Sequence, residues 1–118
     1  MQIYTEKEEE FIGLLTSIGT QKNVAKMLVY LAKLKRATSR DIERGADLRQ
    51  PEVSVAMKYM MKRGWVEVRE IPSEKMGRPV KLWNLKLPFA KILDIIGNEK
   101  QNELRARLDL VRKVRDFA

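Results

Sequence analysis

The chain has 118 residues, enough for one domain and a long appended segment. It contains no cysteine and no histidine, which excludes disulfides, thiolate zinc sites and Cys or His nucleophiles. The net charge of +8 and the isoelectric point of about 9.9 favour a polyanionic partner, either nucleic acid or an anionic membrane surface, with a solubilising surface rich in Lys and Glu as the alternative.

Two amphipathic helices are predicted at the start of the chain. Residues 6–18 follow Thr5, a favourable N-cap, with Glu8 three positions later as its capping-box partner. Residues 21–36 carry a wider apolar stripe, so we expect this second helix to lie at the centre of the domain. The apolar stripe of the first helix contains Phe11, Leu14, Leu15 and Ile18.

A short third helix is predicted over residues 38–44, where Thr38 and Asp41 have the spacing of an N-cap and its partner. A fourth helix follows over about residues 50–63, with Pro51 in its first turn. We expect its buried stripe to contain Val53, Ala56, Met57, Met60 and Met61.

Two β-strands are predicted from alternating apolar and polar residues at 65–71 and 80–87. The Pro/Gly loop between them carries Lys75 and Arg78, so the two strands form a hairpin with a basic tip. The fold class is therefore mainly α with a small β-hairpin (α+β), in the order of a winged helix-turn-helix.

The end of the chain is predicted to be mostly helical over residues 88–117, with a polar interruption and a weak Gly hinge at 97–103. Thirty helical residues span about 45 Å, longer than a domain this small can cover. We therefore expect a winged-helix domain, residues 1–87, and a C-terminal helix for dimerisation, residues 88–118. A helix that folds back on its own domain is the alternative. The predicted dimer contacts are Phe11, Leu14, Leu15, Ile18, Leu104, Leu108, Val111 and Val114.

A helix-turn-helix places its second helix in the major groove, with the residues near its N-terminus facing base edges. In this chain Gln50 can bond adenine, Glu52 can accept from cytosine, and Val55 can contact a thymine methyl group. Lysines on the helix suit phosphates, and the wing at about 72–79 can approach a minor groove or the backbone. The predicted DNA contacts are Ser39, Arg40, Arg49, Gln50, Glu52, Ser54, Val55, Lys58, Tyr59, Lys62, Lys75, Arg78 and Lys81.

The stretch TSRDIERGADLRQPEVSVAMKYMMKRGWVEVRE resembles winged-helix transcriptional regulators of the MarR, ArsR and TrmB type, particularly small archaeal ones. The shared features are a T-S-R-D-I positioning helix, L-x-Q before the recognition helix, V-S-x-A-M-K, R-G-W-V and a G-R-P wing, within about residues 21–87. The resemblance implies a DNA-binding regulator that works as a dimer. It implies phosphate or minor-groove contacts from Lys58 and Arg78. It implies base contacts from Gln50, Pro51, Glu52, Ser54 and Val55.

The chain departs from this family at its reading helix. Many relatives carry Ser-Thr in place of Pro51 and Glu52, and often Arg in place of Val55. The leading hypothesis is a sequence-specific regulator of double-stranded DNA that acts as a homodimer. The alternative is a winged-helix assembly module that binds protein, motivated by Glu52 and the long C-terminal stripe.

An RNA-binding role is a weaker third hypothesis, because no exposed aromatic platform of the usual kind is apparent in the sequence. The chain lacks a recognisable pair of acids for catalysis, so we expect neither enzyme activity nor a cofactor. Metal sensing through Cys and His ligands is excluded. The acidic N-terminus and the lack of a run of about 20 apolar residues predict a cytoplasmic protein without a signal peptide or a membrane span.

Overall fold

The computed structural model describes residues 4–72 and 79–118. Within these ranges it has five helices and three strands, which confirms the α+β winged-helix class. The elements in chain order are α1 (Glu6–Ser17), α2 (Lys22–Lys33), β1 (Ala37–Thr38), α3 (Ser39–Gly45), α4 (Gln50–Lys62), β2 (Val66–Ile71), β3 (Val80–Leu85) and α5 (Phe89–Asp116).

The predicted capping residues fix two helix starts. At α1, Thr5 Oγ1 accepts from the Glu8 backbone N–H at 3.1 Å, and Glu8 Oε1 accepts from the Thr5 N–H at 2.9 Å. At α3, Thr38 and Asp41 make the same reciprocal pair at 3.0 and 3.1 Å. Both pairs satisfy backbone donors that have no partner inside the helix, so the sequence signal for these starts is confirmed.

The strands form an antiparallel sheet in the order β1-β3-β2. In the hairpin, Val66 pairs with Leu85 and Ile71 pairs with Val80, as the alternating pattern predicted. Strand β1 was not predicted, because two residues are too short to show any alternation. Its pairing of Ala37 with Trp83 ties the wing to the start of α3.

The core is built around α2, whose apolar face is almost completely buried, as expected for a central helix. Trp65 and Trp83 are both buried and belong to this core. One core prediction is wrong: Met61 is 45% exposed, because its position on α4 is rotated away from α2 and toward β3. The buried face of α1 also differs from the predicted stripe, because Ile12 and Leu15 are buried whereas Leu14 and Ile18 are exposed.

Helix α5 is continuous from Phe89 to Asp116, so the predicted interruption at 97–103 is wrong. The residues in that segment are mostly good helix formers, and one interior glycine is tolerated. Only Ile92 and Ile96 of this helix are buried, and every residue from 101 to 118 is exposed. The helix therefore leaves the domain instead of folding back on it, and the molecule is elongated, at 70 × 30 × 25 Å.

Candidate nucleic-acid interface

Helix α4 has a buried face and an opposite face directed to solvent. Val53, Ala56, Met57 and Met60 pack into the core. Residues at a helical offset of about 180° point outward. These outward residues are Pro51, Val55, Lys58 and Lys62, all exposed, with Val55 at 64%.

A groove of about 360 Å³ lies between one flank of α4 and strand β3. At its edge, Trp83 Nε1 donates to Ser39 Oγ at 3.0 Å, which holds β3 against the first turn of α3. Met61 also lines the groove, a role that its helical offset from Gln50 could have indicated. The groove brings together the predicted contacts Ser39, Gln50, Ser54, Lys58 and Lys81.

Two exposed cations, Lys58 and Lys81, line this groove. In the described ranges, ion pairs form at Lys33–Glu8, Arg63–Glu99, Lys100–Glu103 and Arg112–Asp109, and none of these involves the groove. Positive charge without a protein counterion favours the binding of a polyanion. Other exposed cations of the helix-turn-helix include Arg40 on α3, Arg49 at the N-cap of α4 and Lys62 on α4.

Glu52, which was predicted to contact a base, has a structural role at the start of α4. Its Oε1 accepts the backbone N–H of Arg49 at 2.9 Å, and its Oε2 lies 3.4 Å from the Asn23 Nδ2 donor on α2. The Arg49 N–H lowers the pKa of the Glu52 carboxyl, with a smaller contribution in the same direction from Asn23. The carboxylate therefore caps α4, so the assignment of Glu52 to cytosine is withdrawn.

Tyr59 also lies on the flank of α4 away from the groove. Its ring makes an edge-to-face contact with Trp65, with centroids 5.9 Å apart, and the Arg63 guanidinium stacks over it at 4.8 Å. Arg63 in turn pairs with Glu99 of α5. We therefore propose that the Tyr59 ring packs against Trp65 and Arg63 rather than contacting DNA.

The wing is described only in part. Lys75 and Arg78, both predicted DNA contacts, lie outside the described residues and remain predictions. The strands on either side of this loop are paired up to Ile71 and Val80. Lys81 is exposed at the base of that loop.

The predicted dimer residues are largely exposed. Leu14 and Ile18 on α1 have large exposed fractions, while Phe11 is half-buried against Phe89 at 5.8 Å between ring centroids. Leu15 is only 5% exposed, so it is a core residue and is withdrawn from the predicted dimer interface. The exposed apolar residues on distal α5 include Leu104, Leu108, Val111 and Val114.

Residues 4–72 and 79–118 show neither a membrane-spanning helix nor a cluster of metal ligands. No helix in that part of the chain is long and apolar enough to cross a membrane. The same ranges contain no cluster of three or more acidic side chains placed to hold a metal ion.

Comparison with known proteins identifies the fold. No protein-family model matches the chain, and no curated protein matches its sequence. TrmBL2, described as an archaeal chromatin protein with a novel mode of DNA binding, superposes with a TM-score of 0.65 at 14% identity; the match covers 92% of this chain but 39% of that protein. A possible transcriptional regulator from Methanosarcina mazei gives 0.62 at 13% identity, covering 89% and 85% of the two chains. Apo MarR from E. coli gives 0.54 at 17% identity, covering 92% and 89%.

These similarities define the class of structure. The chain has the winged helix-turn-helix fold found in MarR-family and TrmB-like transcriptional regulators, which confirms the fold expected from the sequence resemblance. At these levels of identity the shared property is the fold, and function has to be argued from the residues of the site.

Proposed function

We propose that this chain is a sequence-specific regulator of transcription that binds double-stranded DNA as a homodimer. Helix α4 enters the major groove as the recognition helix, and the wing at about 72–79 follows the minor groove or the backbone. The observation that carries the proposal is the groove between α4 and β3. It combines hydrogen-bonding side chains at the start of α4 with exposed cations along its rim.

The roles of the residues follow from their positions. Gln50, in the first turn of α4, can bond adenine at N6 and N7, and Ser54 lies one turn further along the same flank. Val55 presents a methyl-sized apolar surface to a thymine methyl group. Lys58 on α4 and Lys81 on β3 both line the groove and suit contacts to phosphates.

Two copies are required on physical grounds. A single small module buries only about 600–1,000 Å² on DNA, which is a small interface for sequence-specific regulation. The exposed stripe on distal α5 provides a surface for pairing with a second copy, joined by Leu14 and Ile18 of α1. A dimer of this kind reads a pseudo-palindrome whose half-sites are about 34 Å apart.

The compared proteins support the same proposal. The Methanosarcina mazei protein is named as a possible transcriptional regulator, another structural neighbour is named as a MarR family transcription regulator, and the TrmBL2 structure is described by its mode of DNA binding. None of these descriptions names an enzyme. We propose that the protein is non-catalytic. We also propose that it acts in the cytoplasm.

The test is selection from a library of random duplexes at about 50 mM salt, where electrostatic binding is strong. The proposal predicts enrichment of a pseudo-palindromic sequence. If no sequence is enriched at that salt concentration, the chain is not a sequence-specific regulator.

The assembly-module alternative has lost one of its two motivations. Glu52 suggested a protein partner, but its carboxylate caps α4. The variant Lys58→Ala/Arg78→Ala separates the two functions. A regulator loses DNA affinity and keeps its fold, whereas an assembly module keeps its partner.

A further inference from the structure

Arg63 connects the recognition helix to α5. It is the C-cap residue of α4, and its Nη1 lies 2.7 Å from both Oε1 and Oε2 of Glu99. Its guanidinium carbon lies 4.8 Å from the centroid of the Tyr59 ring and 5.2 Å from that of Trp65. The planar guanidinium is thus held between two aromatic rings and a carboxylate, a geometry that a lysine could not reproduce.

The pair lies at the point where α5 leaves the domain. Ile96 is the last buried residue of the helix, Glu99 follows it by three positions, and all residues from 101 onward are exposed. The next residue, Lys100, lies about 100° further around the helix, and its ammonium is beside Gly19 in the turn after α1. Of these two charged side chains, Glu99 bonds to the end of α4, whereas Lys100 pairs with Glu103 of α5 itself.

The direction of α5 at this exit controls the position of its far end. From Glu99 to Asp116 the helix extends about 26 Å, so a tilt of about 10° at the exit moves the far end by about 4–5 Å. In a dimer joined through distal α5, the same tilt changes the distance between the two recognition helices. A shift of that size exceeds the rise of one base pair, about 3.4 Å.

We propose that Arg63 and Glu99 are positioning residues that set the angle between α4 and α5 and thereby the half-site spacing that the dimer accepts. The consequence for spacing rests on the proposed function, whereas the angle itself belongs to the single chain. The angle between α4 and α5 and the half-site spacing can therefore be tested separately.

The angle is tested by a distance within one chain. Because the chain has no cysteine, Lys58→Cys/Lys113→Cys introduces two nitroxide sites, one on exposed α4 and one on exposed distal α5. The distance is measured by double electron–electron resonance after refolding with a large excess of unlabelled protein, so that pairs between copies do not contribute.

The parent is expected to give one narrow distance distribution. Glu99→Gln and Arg63→Gln should each broaden this distribution or shift it by about 4 Å, the displacement expected for a tilt of α5 by about 10°. The double variant should be no worse than either single one, because the two residues act as a pair. Asp94→Asn, which removes the same charge from an exposed position on α5, is the control and should match the parent.

An unchanged distribution in Glu99→Gln overturns the proposal, whether or not the protein binds DNA. In duplex selection, Glu99→Gln is expected to enrich half-sites over a wider range of separations than the parent, and an unchanged range would refute the link to spacing. If the parent itself enriches no duplex, the proposed function fails, while the distance measurement still decides the role of the pair.

Discussion

The carboxylate of Glu52 accepts the backbone N–H of Arg49, with 2.9 Å between Oε1 and N, and this bond closes the first turn of α4. The carboxylate also carries its negative charge at the helix N-terminus, where the helix dipole favours it. A residue at a position that resembles a base contact therefore organises the start of the recognition helix. In the first turns of α4, the polar side chains that line the groove are those of Gln50 and Ser54.

The first prediction concerns Glu52→Gln and acid stability. The Arg49 N–H lowers the pKa of Glu52 below its ordinary value of 4.5, so its stabilising contribution is present above pH 4.5 and is lost as the pH falls through the lowered pKa. Denaturant unfolding from neutral pH to well below 4.5 should show a smaller acid loss in Glu52→Gln than in the parent. Glu70→Gln, which removes a charge from exposed β2, is the matched control. A variant that selects a different DNA sequence would show that Glu52 reads a base after all.

The second prediction separates the two flanks of α4. Gln50→Ala should weaken the free energy of DNA binding by about 1–3 kcal/mol and relax selectivity at one base pair, because a bidentate contact to adenine is lost. Tyr59→Phe should leave both affinity and selectivity unchanged, since its ring packs on Trp65 and Arg63. Binding to the selected duplex and to single-base substitutions of it measures both. Loss of affinity in Tyr59→Phe would return that hydroxyl to the interface.

The third prediction uses two glycines in helices. A Cβ at Gly45 would overlap the ring of Tyr30, so Gly45→Ala should destabilise the fold by about 1–3 kcal/mol. A Cβ at Gly97 meets nothing within 4 Å, and Gly97→Ala should stabilise the protein by about 0.5–1 kcal/mol through helix propensity. Thermal and denaturant unfolding give both values. A destabilised Gly97→Ala would mean that α5 is not a continuous helix at that point.

The sequence was sufficient for the features that depend on local spacing. The capping pairs at Thr5 and Thr38 fixed two helix starts, and alternation fixed the hairpin from 66 to 85. Those signals act between residues that are neighbours along the chain. Strand β1 has only two residues, and tertiary pairing with β3 creates it.

The errors at the candidate site have a different origin. A stripe fixes which residues share one side of a helix, but the rotation of that helix against its neighbours is set by packing. For this reason Leu15 entered the core while Leu14 stayed exposed, and Met61 turned toward the groove. Glu52 could have been recognised by its position three residues after Arg49, which is the capping-box spacing.

The fourth prediction tests the dimer surface. Leu108 is 56% exposed on distal α5, so Leu108→Glu should leave the single chain folded while it abolishes pairing with a second copy. Asn102→Glu adds the same charge at an exposed position that lies about 120° or more around the helix from each of the four stripe residues, and it should preserve the dimer. Sedimentation equilibrium and circular dichroism provide the readout. A Leu108→Glu protein that remains dimeric would place the interface elsewhere.

The most direct measurement of the central claim is the salt dependence of DNA binding. With about eight to ten phosphates neutralised by a dimer, the log–log slope of affinity against salt is expected to be about −7 to −9. Lys58→Ala/Lys81→Ala removes four cations from the dimer and should reduce the magnitude of that slope by about 3.6. The charge-matched control Lys91→Ala/Lys113→Ala, on exposed positions of α5, should keep the parent slope. A parent slope near zero, or the same slope in both double variants, would contradict the assignment of the α4–β3 groove to DNA.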